Sequence, residues 1–246
     1  MVLSGKTALV TGAGKRLGRA TALALASEGA SVIVHYQSSR DDAEQCAGLV
    51  RERGGKAWTI QADLGDPASA AGVVQRGIEA AGPIDILVNS ASVFPRNTLA
   101  DVTWQDLAEN MQVNAMAPLL LSRAFAAQGR SGAIVNLLDT RVVHYDRIHA
   151  AYHLSKRTLL TLTRMMALEF APTVRVNAVA PGLILPPAGE DDAYVQKMVG
   201  GIPLQRIGKV EDVTEAILYL LRSEFVTGQV IFVDGGFHMK GSTYGL

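Results

Sequence analysis

Thr7-Ala-Leu-Val-Thr-Gly-Ala-Gly-Lys-Arg-Leu-Gly18 is the stretch from which the rest of the chain can be read. Thr7 to Val10 form a short apolar strand, and Gly12 and Gly14 make a tight turn. Leu17 then opens an apolar helical pattern through Ala20, Ala24 and Leu25 to Gly29. A helix entered this way aims several unpaired backbone N–H groups at one point, with the positive end of its dipole behind them. Such a point suits a phosphate. Gly12 permits the turn, Gly14 leaves room for a ligand against the backbone, and Gly18 removes bulk where helix meets sheet. The spacing is G-x-G-x-x-x-G rather than the dinucleotide fingerprint G-x-G-x-x-G, so the turn alone fits many α/β proteins. The strand before it, the helix after it and its N-terminal position sharpen the reading.

Outward from this stretch, strands and helices alternate. Strand-like runs are Thr7–Val10, Ser31–His35, Ala57–Ile60, Ile84–Asn89, Ala133–Leu137, Arg175–Val179 and Gln229–Val233. Helical patterns cover about 17–28, 42–53, 67–81, 103–127, 150–170 and 210–222. Asp66-Pro67 reads as an N-cap followed by proline at the first helical position. This order predicts a single-domain α/β fold over 1–246: a Rossmann-type, doubly wound parallel sheet of about seven strands, with helices on both faces. The irregular stretch from Pro181 to Pro203 is the longest, and a substrate lid is expected over 183–203.

With 246 residues the chain is long for one domain but ordinary for this fold. Lys+Arg and Asp+Glu are both 23, so the formal net charge is zero, which argues against nucleic acid or an anionic membrane as partner. Cys46 is the single cysteine, so no intrachain disulfide can form. No apolar run is long enough to span a bilayer, and Met1-Val-Leu-Ser does not read as a signal peptide, so a soluble cytoplasmic protein is expected.

The second strand speaks to the ligand. Folds of this kind that hold NAD place Asp or Glu about 20 residues past the glycines, on the ribose 2′-hydroxyl. Here Val34-His35-Tyr36-Gln37-Ser38-Ser39-Arg40 occupies that place, and no acid appears until Asp41. With no carboxylate to repel it, a 2′-phosphate could be held by Arg16, Ser38, Ser39 and Arg40, which favours NADP.

Further along, Asn114 and Pro118 lie inside one helical pattern. Proline has no N–H, so the carbonyl of residue 114 loses its usual donor and a kink is expected there. Tyr152-His-Leu-Ser-Lys156 places tyrosine and lysine on one helix face. A neighbouring ammonium is expected to bring the phenol down from its usual pKa of about 10. His149 and His153 also share a helix face, but with no third ligand no metal site is expected.

Taken together, Thr11-Gly12-x-x-x-Arg16-x-Gly18, Asn89-Ser90-Ala91-Ser92, Asn114, Tyr152-x-x-x-Lys156, Ala180-Pro181-Gly182 and Val233-Asp234-Gly235-Gly236 resemble the short-chain dehydrogenase/reductase family over essentially the whole chain. Arg16 stands where most members have a middle glycine, and Ser90 and Ser92 also depart from the family pattern. The resemblance implies that NADP(H) contacts Gly12, Gly14, Lys15, Arg16, Leu17, Gly18, His35, Tyr36, Ser38, Ser39, Asp63, Leu64, Asn89, Ser90, Ala91, Tyr152, Lys156, Pro181, Gly182 and Leu183. It implies that Tyr152 and Lys156 are catalytic, and that the main-chain carbonyl of Asn114 holds a water in a proton relay. The helices at 103–127 and 150–170 are apolar on more than one face (Leu119, Leu120, Phe125, Leu159, Leu162, Met165, Met166), which reads either as two buried helices or, in family terms, as the interface of a homotetramer.

Most members carry a serine thirteen residues before the tyrosine; here it is Asp139. A carboxylate would repel the alkoxide of a reduced carbonyl but suits a substrate with N–H donors. Asp139, Arg16 and Phe94 together resemble the pteridine reductases, which reduce dihydropterins or folates with NADPH. The resemblance implies that Asp139, Tyr152, Lys156 and Asn114 serve catalysis. It also implies that Arg16, Ser92, Phe94, Asp139 and Tyr152 contact a flat pterin or folate. The alternatives are a carbonyl reductase, such as a 3-oxoacyl-carrier-protein reductase, in which Asp139 only caps a helix approach, and a non-catalytic NADP-sensing regulator on the same fold.

Overall fold

The computed structural model describes residues 1–186 and 196–242. Its centre is one sheet of seven parallel strands in the order β3-β2-β1-β4-β5-β6-β7. These are β1 (Thr7–Val10), β2 (Ser31–Tyr36), β3 (Ala57–Gln61), β4 (Ile86–Asn89), β5 (Gly132–Leu137), β6 (Val174–Pro181) and β7 (Val230–Val233). The inner strands are apolar on both faces because helices cover both. Leu9, Ile33, Leu87 and Ile134 point to one layer. Their neighbours Val10, Val34, Val88 and Val135 point to the other. That is the two-residue alternation of a strand.

Helices α1 (Arg16–Ser27), α2 (Arg40–Glu52) and α8 (Val210–Arg222) lie on one face. The other is covered by α3 (Pro67–Ala71), α4 (Val73–Ala81), α6 (Ala117–Ala126) and α7 (Ala150–Glu169), with α5 (Trp104–Met111) packed on α7. The chain reverses direction across the sheet between β1 and β4, so a crevice opens at the carboxyl ends of these two strands, where folds of this class bind ligands.

Asp66 caps α3 as its sequence suggests, accepting from the N–H groups of Ala68 and Ser69 at 3.1 Å each, with Pro67 following. Two helices differ from the sequence reading. The expected helix over 67–81 is divided at Gly72. The expected helix over 103–127 passes through a π turn, Gln112–Met116, in which the Ala117 N–H reaches the carbonyl of Gln112. The chain takes this wider turn immediately before Pro118, which has no N–H to donate. Of the expected lid, residues 187–195 lie outside the described residues.

Candidate active site

The turn after β1 is held on both sides. Gly12 has φ +62°, and a Cβ there would lie 2.9 Å from the Cα of Ala91 in the loop after β4. Gly12 donates its N–H to His35 Nδ1 at 3.2 Å, while His35 Nε2 faces the carbonyl of Ala62 at 3.2 Å. The two partners demand a neutral ring protonated at Nε2. Burial, with a smaller contribution from the Arg76 charge, pushes the ring pKa down to about 4. His35 borders the crevice, but both its ring nitrogens are engaged in holding the turn.

Arg16 has φ +51°, the left-handed region in which a glycine would be unstrained. Its guanidinium donates to the carbonyl of Pro186 at 2.6 Å, tying the turn to the start of the 183–203 segment. Lys15 precedes α1 without capping it, and the first turn holds no acid, so the N-terminal donors meet no competing side chain. Lys15 itself pairs with Asp42 at 3.0 Å.

A cavity of about 640 Å³ runs from this turn along the strand ends. It brings together Gly12, Gly14, Lys15, Arg16, Leu17, Gly18, His35, Tyr36, Ser38, Ser39, Asp63, Leu64, Ser90, Ala91, Ser92, Phe94, Asp139, Tyr152, Lys156, Pro181, Gly182 and Leu183. Arg40 is exposed at the start of α2 and does not border it. Gln37, at the place of the acid in NAD-binding folds, donates to Asp63 Oδ1 at 2.9 Å.

Two expected residues lie behind the cavity wall. Asn89, expected to touch the cofactor, donates to Asn136 Oδ1 at 2.8 Å; as the last residue of a central strand it is paired in register with that residue on β5 and is buried. Asn114 is fully buried. Its Oδ1 accepts from Ser92 Oγ at 3.0 Å and the Val93 N–H at 2.9 Å, and its Nδ2 donates to the Val93 carbonyl and to Ser155 Oγ, both at 3.0 Å. Asn114 thus pins the loop carrying Ser92 and Phe94 to α7.

Tyr152 and Asp139 meet at the far end. The Tyr152 hydroxyl donates to Asp139 Oδ2 at 3.1 Å, and the Arg141 backbone N–H donates to Asp139 Oδ1 at 2.8 Å. Asp139 therefore both caps the short 3₁₀ turn Thr140–Val143 and engages the tyrosine. The expectation that Lys156 lowers the phenol pKa is corrected here. Burial first, and then the Asp139 charge, push Tyr152 well above its ordinary value. Lys156 Nζ donates to the Leu137 carbonyl at 2.8 Å and stands 5.7 Å from the Tyr152 ring centre. Burial lowers its own pKa to about 8.

Three neighbours escaped the sequence analysis as site residues. Arg141 Nη1 pairs with Asp146 Oδ2 at 2.7 Å, and His149 Nδ1 lies 2.9 Å from the same oxygen. His149 stacks on Phe94 with ring centres 4.1 Å apart, and Phe94 meets Tyr152 edge-on at 4.5 Å. Phe94 is thereby fixed at the cavity mouth with 38% of its surface exposed. The Asp146-x-x-His149 spacing was the available signal, but it matches no binding motif.

A helix terminus open at the switch point of a parallel sheet, across one cavity from a tyrosine–lysine helix face, defines a class of dinucleotide-type oxidoreductases. A family model described as enoyl-(acyl carrier protein) reductase matches residues 12–238, and the chain belongs to the short-chain dehydrogenase/reductase family. L-xylulose reductase of Mesocricetus auratus is 37% identical over 246 residues, covering 96% of this chain and 97% of that protein. Among solved structures, the FolM alternative dihydrofolate reductase 1 from Brucella canis, complexed with NADP, gives a TM-score of 0.92 at 31% identity, covering 100% of this chain and 97% of that one. The promiscuous reductase LugOII, which catalyses keto-reduction at C1 during lugdunomycin biosynthesis, gives 0.88 at 32% identity, covering 97% and 100%.

Proposed function

We propose that the protein is an NADPH-dependent reductase of a C=N bond in a pterin or folate ring. The carrying observation is the 3.1 Å bond between the Tyr152 hydroxyl and Asp139, where a carbonyl reductase would present a serine. The residues present suit NADP(H): an uncapped helix N-terminus for the pyrophosphate, Lys15, Arg16, Ser38 and Ser39 for phosphate, and no carboxylate closing the end of β2. When bound, the reduced nicotinamide supplies hydride to a ring carbon. Tyr152 gives its proton to the adjacent ring nitrogen, Asp139 accepts from ring N–H groups, and Phe94 and Ser92 flank the flat ring. Arg16 contacts both ligands, Lys156 orients the ribose, and the Asn114 carbonyl holds the relay water. The similarity to the FolM structure supports this reading.

A second reading, carbonyl reduction, is favoured by the L-xylulose reductase and LugOII relatives and treats Asp139 as the cap it also is. The test is a panel of dihydrobiopterin, dihydromonapterin, dihydrofolate and an acetoacetyl thioester, each with NADPH. Turnover of a dihydropterin or dihydrofolate is expected; turnover of the thioester alone refutes the pteridine reading. No turnover at all, with NADPH bound, would favour a cofactor-sensing regulator.

The quaternary proposal is a homotetramer. Phe125, Leu159 and Met166 are buried within the subunit, and Leu119, Leu120 and Leu162 pack partly against the core. Met165, Leu154 and Leu168 on α7 and Trp104 on α5 stay exposed, Leu168 at 84%. That apolar surface is what a partner subunit would cover.

A further inference from the structure

Proton donation by Tyr152 raises an electrostatic problem that the site must solve. As the O–H bond breaks and an N–H bond forms on the substrate, the electron pair stays on the phenolic oxygen. That oxygen lies 3.1 Å from an Asp139 oxygen, and two adjacent anions disfavour each other strongly. Lys156 is bonded to the Leu137 carbonyl. Of the charged groups around the tyrosine, Asp139 and Asp146 push its pKa up and Arg141 pulls it down, while Lys156 Nζ stands 5.7 Å from its ring centre.

We propose that Arg141 is a positioning residue for proton delivery: anchored by Asp146, it orients Asp139 through its backbone N–H and offsets, through its guanidinium, the charge left on Tyr152. The anchor is built. Asp146 has a 6% exposed side chain and accepts from the Ile148 and His149 N–H groups at 2.8 and 3.1 Å, as well as from Arg141 Nη1. The Arg141 guanidinium is held 5.7 Å from the Phe94 ring centre and borders the same cavity as Asp139. Its attraction to Asp139 and Asp146 keeps it charged despite partial burial. Asp146 and His149 thus act on the chemistry through Arg141 and Phe94.

This inference rests on Tyr152 as the proton donor but not on the identity of the ring that receives the proton. The experiment is steady-state kinetics with NADPH and dihydrobiopterin, or the acetoacetyl thioester if the panel selects it. The variants are Arg141→Gln, Arg141→Lys and Arg141→Gln/Asp146→Asn, the last leaving no stranded buried carboxylate if the single change fails to fold. Loss of the guanidinium should lower kcat by about 10- to 100-fold, less than loss of a contact ion pair would cost at a protein's effective dielectric, with KM and NADPH affinity within about threefold. Arg141→Lys should recover part of kcat. Unchanged kcat, or an effect confined to KM, overturns the proposal. Tyr152→Phe is run beside them: full turnover there defeats the proton-donor reading itself, whereas its loss with normal Arg141 variants defeats only the role of Arg141.

Discussion

The glycine turn should be acid-sensitive through His35. The ring accepts from Gly12 N–H and faces the Ala62 carbonyl, and it is neutral because burial pulls its pKa from 6.5 to about 4. Between those values the unfolded chain binds more protons than the folded one, so stability rises with pH across the window and is lost as pH falls. That fall corresponds to about 2 kcal/mol lost by about pH 5 and about 3 kcal/mol by about pH 4, relative to neutrality. His153, lowered in the same direction, adds to the slope, so the comparison must isolate His35. Urea unfolding of wild type and His35→Gln, followed by tryptophan fluorescence between about pH 7.5 and pH 5, does so. Wild type should lose stability across this range and His35→Gln should lose clearly less. A flat wild-type profile, or identical slopes in both proteins, would refute the reasoning.

Arg16→Gly should narrow the preference for NADPH over NADH by about 1.5–3 kcal/mol, the strength of a charge-assisted phosphate contact, as read by cofactor titration. It should not lower the melting temperature through backbone strain, since Arg16 already occupies φ +51°. Asn114→Ala strands the Val93 backbone groups and Ser155, and should destabilise by about 1–3 kcal/mol per unsatisfied buried group in chemical denaturation. Sedimentation at micromolar concentration should find a tetramer, and Leu168→Lys should dissociate it; a monomeric wild type would contradict that proposal.

Much of the fold was legible because a parallel sheet writes itself as apolar runs separated by helical patterns. The strands lie where those runs do, with ends displaced by a residue or two, as at β4, which begins at Ile86 rather than Ile84. The break at Gly72 was hidden because one glycine interrupts neither the apolar spacing nor the capping signals around Pro67. Pro118 pointed to a perturbed helix, but whether the chain kinks or widens into a π turn depends on what packs around Asn114. The strand-end location of the glycine turn followed from topology. Sequence places Asn89 at a strand end without showing that its side chain turns inward to Asn136. Arg141, Asp146 and His149 come from a short 3₁₀ turn and a loop, so only the folded chain gathers them around Phe94. The raised Tyr152 pKa was likewise invisible: the Tyr-x-x-x-Lys spacing gives proximity, whereas burial and Asp139 set the direction.

The central claim is that Asp139 and Tyr152 together deliver a proton to a ring nitrogen, and the kcat of Asp139→Ala with dihydrobiopterin and NADPH tests it most directly. Turnover should fall by about 10²–10⁴, as expected for loss of a proton-transfer partner, with NADPH affinity and fold little changed. Asp139→Ala retaining full dihydropterin activity would contradict the claim and reduce Asp139 to the cap of the Thr140–Val143 turn.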